Sequence, residues 1–188
     1  EFRRVLFRSE PDIIVIGKAL ASGMPLSALV ARKEIFEAWT SPGHVFCTSG
    51  NPICCAASLA TIGIIRREGL LKKTEEMGRY IRERFNRLAE EYEQISQVRG
   101  QGFMIGVDLV KDRSSRERAR DLAAKIVWRC YEQGLYLTFF SGSVLRICPP
   151  LVITQEELDR GISILEGAIA DAISGKVPDN VLDMVKGW

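Results

Sequence analysis

One long amphipathic segment constrains the fold of this 188-residue chain more than any other feature. Between residues 70 and 93, mostly apolar residues recur every three or four positions and form one face of a helix, while lysine, arginine and glutamate form the other face. The repeating face consists of Leu70, Thr74, Met77, Ile81, Phe85, Leu88 and Tyr92. At about 1.5 Å per residue such a helix is on the order of 35 Å long, enough to cross from one domain to another. We therefore expect a linking helix over 68–94, with a separate folding unit on each side.

Residues 10–67, before this helix, have the pattern of a layered α/β domain. Continuous short apolar runs at 12–17 and 26–31 are typical of strands that are covered on both faces. Residues 33–39 predict a short helix or turn, and the alanine-rich stretch from Ile53 predicts a buried helix to about Arg67. This region is expected to be the C-terminal part of a larger domain.

Residues 95–175, after the long helix, predict a complete small α+β domain of order β-β-α-β-β-α. Its helices are expected to open with capping boxes, Ser114 with Glu117 and Thr154 with Glu157. Its strands are expected within 95–110, at 135–140 and at 143–147. Residues 176–188 predict a tail that is loosely held or packs against another part of the protein.

Composition excludes several classes of function. The 26 basic and 24 acidic residues give a net charge of +2, too balanced to favour nucleic acid or an anionic membrane. No run approaches the roughly 18 apolar residues that suggest a membrane-spanning helix. Five cysteines without C-x-x-C spacing, beside one histidine, do not form a zinc pattern, so we expect no metal and a cytoplasmic location.

The first nine residues, E-F-R-R-V-L-F-R-S, differ from the rest of the chain. They are basic and aperiodic, and they abut an apolar strand. We expect residues 1–9 to be a non-native scar, with authentic sequence resuming at Glu10.

Lys18 is the first candidate for chemistry, because it follows the apolar strand in D-I-I-V-I-G-K. In open α/β sheets, ligands gather outside the carboxyl ends of the strands. A lysine in a poorly hydrated site there has a lowered pKa, and its neutral amine is a nucleophile and a proton carrier. Taken alone, a lysine after a strand is more commonly a solvated surface charge.

Four stretches in order resemble class III aminotransferases, pyridoxal-phosphate enzymes of fold type I (aspartate aminotransferase-like). D-I-I-V-I-G-K-A-L-A-S-G-M-P-L-S-A-L-V-A-R is similar to the lysine segment of that family. The others are S-G-N-P-I-C-C-A-A-S-L-A-T-I, V-R-G-Q-G-F-M-I-G-V-D-L and L-R-I-C-P-P-L-V-I-T. The resemblance runs from about Pro11 to Ala172 and is closest to the subgroup described as 4-aminobutyrate aminotransferase-like.

The resemblance implies a role for each of three residues. Lys18 would carry pyridoxal phosphate as a Schiff base, and Arg146 would bind the α-carboxylate of an amino acid through two parallel hydrogen bonds. An arginine in a strand-end salt bridge is the structural alternative for Arg146. In the family, a threonine binds the cofactor phosphate of the partner subunit. At the corresponding position this chain has Cys47, with Thr48 next to it, and we favour Thr48 as the residue that binds the phosphate.

The family's other cofactor-binding segments precede its lysine, and this chain has none of them. We therefore expect the C-terminal half of a homodimeric aminotransferase, the end of the large domain plus the small domain. Its substrates would be an amino acid and a 2-oxo acid. The alternatives are an amino-acid racemase or epimerase of the same family, in which the proton returns to Cα from the other face, and a catalytically incompetent fragment.

Overall fold

The computed structural model describes residues 10–40, 43 and 47–185. The expected scar at 1–9 and the last three residues of the expected tail lie outside the described residues. The chain divides into two compact units, residues 1–69 and 70–188. The long helix belongs to the second unit, whereas the sequence analysis set 68–94 apart as a linking segment.

The first unit is built from a short hairpin and two helices. Strand β1 (Ile13–Ile16) pairs antiparallel with β2 (Ala28–Ala31), and a 3-10 helix, Lys18–Ala21, lies in the connection between them. Helix α1 (Lys33–Glu37) is short, and α2 (Pro52–Arg67) opens at Asn51. The elements lie where the sequence predicts them.

The apolar faces of this unit are largely exposed in the chain as it stands. Val15 in β1 is 74% exposed and Leu59 in α2 is 73% exposed, although both lie in apolar runs. In the described part of this unit, Ala21, Cys54 and Ser58 are the buried residues. A two-stranded sheet and one long helix offer too little surface to cover each other's apolar faces.

The second unit is an antiparallel sheet with helices packed on it. The elements in chain order are α3 (Leu70–Glu91), β3 (Ile95–Gln101), β4 (Met104–Leu109), α4 (Arg120–Glu132), β5 (Thr138–Phe140), β6 (Val144–Ile147), α5 (Gln155–Ile173) and a 3-10 helix, Asp179–Asp183. The strands lie in the sheet in the order β3-β4-β6-β5, so the two edge strands are β3 and β5. The β-β-α-β-β-α order over 95–175 agrees with the sequence prediction.

One hydrophobic core lies between the sheet and the helices. Alternate residues of the two central strands point into it, and so does the repeating face of α3. The largest fully buried side chains are Phe85, Ile81, Ile95, Ile105, Leu109, Ile126, Leu145 and Ile169. The helices are also joined at their surfaces, by ion pairs from Arg84 to Glu166 and from Arg129 to Asp171.

Helix α3 approaches the β3–β4 turn so closely that it requires a glycine. A Cβ atom at Gly78 would lie 2.2 Å from the carbonyl oxygen of Gly102, a backbone atom that cannot swing aside. Gly102 itself has φ +52°, a left-handed conformation that glycine adopts without strain. The turn therefore fixes where α3 lies on the sheet.

One local prediction is wrong. Ser114 and Glu117 do not cap a helix, because α4 begins at Arg120 and its N-cap residue is Ala119. Instead, the carboxylate of Asp112 accepts hydrogen bonds from the hydroxyls of Ser114 and Ser115, which makes a separate turn. The second capping box is confirmed, since Thr154 and Glu157 bond each other's backbone at the start of α5.

The tail is also better held than expected. Three valines of the tail are at most 7% exposed and complete the core beside α4: Val177, Val181 and Val185. Lys125 forms an ion pair with Asp179 at the start of the last 3-10 helix. The described part of the tail is thus a structural element of the second unit.

None of the described helices is long and apolar enough to cross a membrane. The described residues also contain no group of three histidine, cysteine, aspartate or glutamate side chains that could hold a metal ion.

Candidate active site

Lys18 occupies a strained position directly after β1. It is the first residue of the 3-10 helix, and its φ of +53° lies in the left-handed region, which is costly for a residue with a Cβ atom. Strained backbone of this kind costs about 1–3 kcal/mol and clusters at functional sites. The side chain is exposed. Arg116 has the same φ, so the conformation alone assigns no role, and the role of the Lys18 amine stays a prediction.

The backbone that carries Lys18 is anchored from both sides. Leu20 N–H donates to the carbonyl of Gly17 at 3.2 Å, and Ser22 N–H donates to Ala19 at the same distance. Ala21 is 1% exposed, and the turn packs on helix α2, where the Thr61 hydroxyl donates to the Ser22 hydroxyl at 3.1 Å. Helix α2 therefore holds the lysine turn in place while the amine stays accessible.

Thr48 and Cys47 lie in a turn that leads into the same helix. Both side chains are exposed, so accessibility alone does not choose between them. The Asn51 side chain caps α2 by accepting hydrogen bonds from the N–H groups of Ile53 and Cys54. Because the positive end of a helix dipole favours a phosphate, the turn at 47–50 is a suitable place for one. A hydroxyl is a stronger donor than a thiol, which keeps Thr48 as the preferred residue.

Arg146 belongs to the second unit, in the middle of β6. Leu145 and Ile147, its neighbours, point into the core, so the Arg146 side chain lies on the opposite, exposed face of the sheet. Its guanidinium carbon lies 5.4 Å from the centre of the Phe140 ring. Within the part of the chain that the structure describes, Arg146 has no hydrogen-bond or ion-pair partner. The salt-bridge alternative for Arg146 is therefore not seen among these residues.

A cavity of about 460 Å³ lies beside Arg146 in the second unit. Most of its lining is apolar and comes from the segment before β5, from β6 and the loop after it, and from α5: Leu135, Leu137, Ile147, Pro149, Pro150, Ile153, Leu158 and Ile162. Glu157 also lines it, but this carboxylate is committed to capping α5. Arg146 is one of the lining residues, so a ligand held here would meet an arginine as well as apolar side chains.

Cys130 is excluded as a nucleophile by its environment. It is fully buried, and burial raises the pKa of its thiol to about 12, so the reactive thiolate is scarce at neutral pH. No sequence motif assigns a role to this residue, which agrees with its place in the core.

Phe140 is the residue near the candidate site that sequence reasoning missed. A signal was present, because β5 and β6 are a hairpin in which residues 138 and 140 must share a face with 144 and 146. The sequence pattern predicts the two strands but not the register in which they pair. Lys18 and Thr48 lie in the first unit and Arg146 in the second, and the roles of all three stay predictions.

Comparison with known proteins identifies the family. Residues 5–169 match the family described as aminotransferase class-III. A leucine/methionine racemase from Thermococcus litoralis is 50% identical over 97% of this chain and 41% of its own length. An isoleucine 2-epimerase from Lentilactobacillus buchneri is 40% identical over 89% of this chain and 37% of its own length. A probable 4-aminobutyrate aminotransferase from Bacillus subtilis is 37% identical over 85% of this chain and 37% of its own length.

Solved structures similar to this chain are also aminotransferases. An aminotransferase from Bacillus anthracis superposes with a TM-score of 0.82 and 31% identity, covering 89% of this chain and 40% of that one. The PMP-bound form of an aminotransferase from Vibrio fluvialis gives a TM-score of 0.81 and 28% identity, over 93% and 40% of the two chains. The chain thus spans about two-fifths of the length of the proteins it matches. It belongs to the class III aminotransferase family, whose members have fold type I and use pyridoxal phosphate.

Proposed function

We propose that the intact protein is a pyridoxal-phosphate-dependent amino-acid racemase or epimerase that acts on neutral, apolar amino acids. The observation that carries the proposal is the 50% identity to a leucine/methionine racemase, against 37% to a probable 4-aminobutyrate aminotransferase. An isoleucine 2-epimerase at 40% and an alanine/serine racemase at 42% point the same way. This reverses the order of the two candidates that the sequence alone suggested.

The residues present fit their share of the cofactor. An accessible primary amine in strained backbone suits an aldehyde, and an exposed hydroxyl before the positive end of α2 suits a phosphate. Lys18 would therefore hold pyridoxal phosphate through its amine, and Thr48 would donate to the phosphate of the cofactor that the partner subunit holds. When bound, the cofactor makes the Cα proton of an amino acid acidic by withdrawing electrons from that carbon.

The chain's own side chains would then bind the substrate and move its proton. Arg146 would hold the α-carboxylate through two parallel N–H donors. Lys18, once its amine is free, would exchange the Cα proton on one face, and inversion needs a second proton donor on the opposite face that this proposal does not assign to a residue of this chain. The apolar cavity beside Arg146 favours an aliphatic side chain over a charged one, because an unpaired charge there would lose its hydration.

Incubation of the intact enzyme with single enantiomers in D₂O tests the reaction. L-leucine, L-methionine and L-isoleucine would each be supplied with pyridoxal phosphate and no oxo acid. We expect loss of configuration at Cα with deuterium incorporation there, read by chiral chromatography and mass spectrometry. Retained configuration, with oxo acid formed only when 2-oxoglutarate is added, would establish amino transfer instead.

Substitution of Arg146 tests how the substrate is held. Arg146→Ala should raise KM for both enantiomers of leucine by roughly tenfold to a hundredfold, because a bidentate charge-assisted pair is lost. Arg99→Ala is a matched control, since Arg99 lies on the same sheet but is already paired with Asp108 at 3.0 Å. Equal effects of the two substitutions would assign Arg146 a structural role.

A further inference from the structure

Arg146 and Phe140 form one assembly on the exposed face of the second unit's sheet. In the β5–β6 hairpin, Thr138 pairs with Arg146 and Phe140 pairs with Val144. Phe140 is therefore the diagonal neighbour of Arg146 on the same face, within reach of a long side chain. The 5.4 Å from the guanidinium carbon to the ring centre is the distance of a cation–π contact.

The same chain holds a related arrangement. Arg84 lies 6.0 Å from the centre of the Tyr80 ring, donates from Nη1 to the Tyr80 hydroxyl at 3.1 Å and also binds Glu166 through two hydrogen bonds. Its Nε donates to Oε1 at 3.1 Å and its Nη2 donates to Oε2 at 2.6 Å. An aromatic side chain thus accompanies a guanidinium whose edge grips a carboxylate. At Arg146 the aromatic part is present, and no carboxylate of the described residues is bound to the guanidinium.

We propose that Phe140 is a positioning residue that orients the Arg146 guanidinium for an incoming α-carboxylate. The proposal rests on the proposed role of Arg146 and adds a residue to it. Contact with the ring limits the rotamers that Arg146 samples. A pre-organised fork loses less conformational entropy when it binds a carboxylate.

The turn that carries Phe140 is suited to hold it still. Ser141 and Gly142 have φ values of +50° and +83°, and the Ser143 N–H donates to the Phe140 carbonyl at 3.1 Å. Arg118 donates to the Ser141 carbonyl from the outside, and Ser143 is completely buried. The turn is closed by bonds on both sides, so the ring is presented from a defined backbone rather than from a mobile loop.

Replacement of the ring, with and without its π-system, tests the proposal in the intact enzyme. Phe140→Leu should raise KM for L-leucine and D-leucine roughly two- to fivefold, the worth of an exposed cation–π contact, and leave kcat within about twofold. Phe140→Tyr should restore KM to the wild-type value. A fall in kcat with unchanged KM, or no rescue by Tyr, would overturn the positioning role.

A double-mutant cycle separates this proposal from the role of Arg146. In the Arg146→Ala background, Phe140→Leu should have no further effect on KM, because the group that it orients is gone. If Arg146→Ala alone leaves KM unchanged, the proposed function of Arg146 fails. If Arg146→Ala raises KM and Phe140→Leu does not, the positioning role alone fails.

A spectroscopic measurement needs neither cofactor nor activity. In the 188-residue chain labelled with ¹⁵N-arginine, the side-chain resonances of Arg146 should be shifted upfield by the ring current of Phe140. Phe140→Leu should remove that shift and leave the Arg84 resonances, which depend on Tyr80, unchanged. An Arg146 spectrum that is the same in both proteins would show that the stack is not formed.

Discussion

The two units of this chain have similar fractions of apolar residues, but only the second unit buries most of them. In the second unit, alternate strand residues and one face of each long helix meet in a closed core. In the first unit, the strands and α2 are as apolar, yet Val15, Val30 and Leu59 are half or more exposed. The second unit can therefore fold on its own contacts, while the first presents surfaces that need cover. The proposed nucleophile, Lys18, lies in the less self-sufficient unit.

Hydrogen exchange should show the largest difference between the two units. Amides of β4 and β6 are expected to be protected by about 10⁴-fold or more, since they open only with the whole core. Amides of β1 and β2 should be protected by no more than about 10²-fold, because no closed core lies over them. Trypsin should accordingly cut within 10–67 before it cuts within the region after 95.

Equal protection of β1 and β4 in the isolated chain would break the comparison. It would mean that the exposed apolar faces of the first unit are covered in solution, for instance by a second copy of the chain. Sedimentation of the same sample, at two concentrations, would show whether such an assembly accounts for the protection.

Lys18→Ala in the intact enzyme should lower turnover by at least about 10³-fold, because one amine would serve as both nucleophile and base. The protection of β4 and β6 should not change. Lys33→Ala is the control, since Lys33 is an exposed lysine of the same unit that pairs with Glu37 at 3.2 Å. Reduction of the loaded enzyme with borohydride, followed by peptide mapping, should label Lys18; a label on Lys33 would contradict the assignment.

A pair of core substitutions should sharpen the contrast in stability. Phe85→Ala, at a fully buried position, should lower the free energy of unfolding by about 3–5 kcal/mol in urea denaturation. Leu59→Ala, at a position 73% exposed, should change it by no more than about 0.5 kcal/mol. A large effect of Leu59→Ala would place that side chain in a core that this chain forms in solution.

Thr154→Ala should destabilise the second unit by about 1 kcal/mol, through loss of the capping box. Hydrogen bonds from Thr154 also lower the pKa of Glu157, so this contribution is present above the unfolded pKa of a glutamate and is lost as the pH falls through the folded value. The backbone N–H of residue 154 still donates to Glu157 in Thr154→Ala, so Glu157→Gln is the variant that tests the carboxylate. The difference in stability between wild type and Glu157→Gln should shrink in acid, and a difference that is independent of pH would show that the Glu157 carboxylate contributes nothing.

Alkaline pH should also lower the stability of the second unit. Because burial raises the pKa of Cys130 to about 12, the folded state holds the thiol proton more tightly than the unfolded state. Stability is then complete below the unfolded pKa of about 8.5 and declines as the pH rises toward 12. Cys130→Ala should flatten that part of the stability profile, as measured by thermal denaturation between pH 7 and 10.

The sequence predicted those elements whose pattern is local. The periodic face of α3, the alternation in β4 and β6, and the Thr154 capping box each depend on neighbours within a few residues. The box at Ser114 failed because Asp112, two residues earlier, competes for the same hydroxyls. The packing of Val177, Val181 and Val185 could not be predicted, because it depends on the shape of a core formed by distant segments.

The candidate site divides in the same way. Lys18 and Arg146 could be identified from their motifs, since each motif is contiguous in sequence. The left-handed backbone at Lys18 and the Phe140 contact could not, because both depend on how a turn closes in three dimensions. Register across a hairpin is the least local of these features, and it determines which aromatic side chain lies beside the arginine.

The left-handed backbone at Lys18 has a consequence for laboratory evolution. Glycine or asparagine would occupy that conformation more cheaply than lysine, so a library screened for stability alone should drift away from lysine at position 18. A library screened for turnover should retain it at every round. The ratio of the two outcomes would measure how much stability the protein gives up to keep an amine at the end of its first strand.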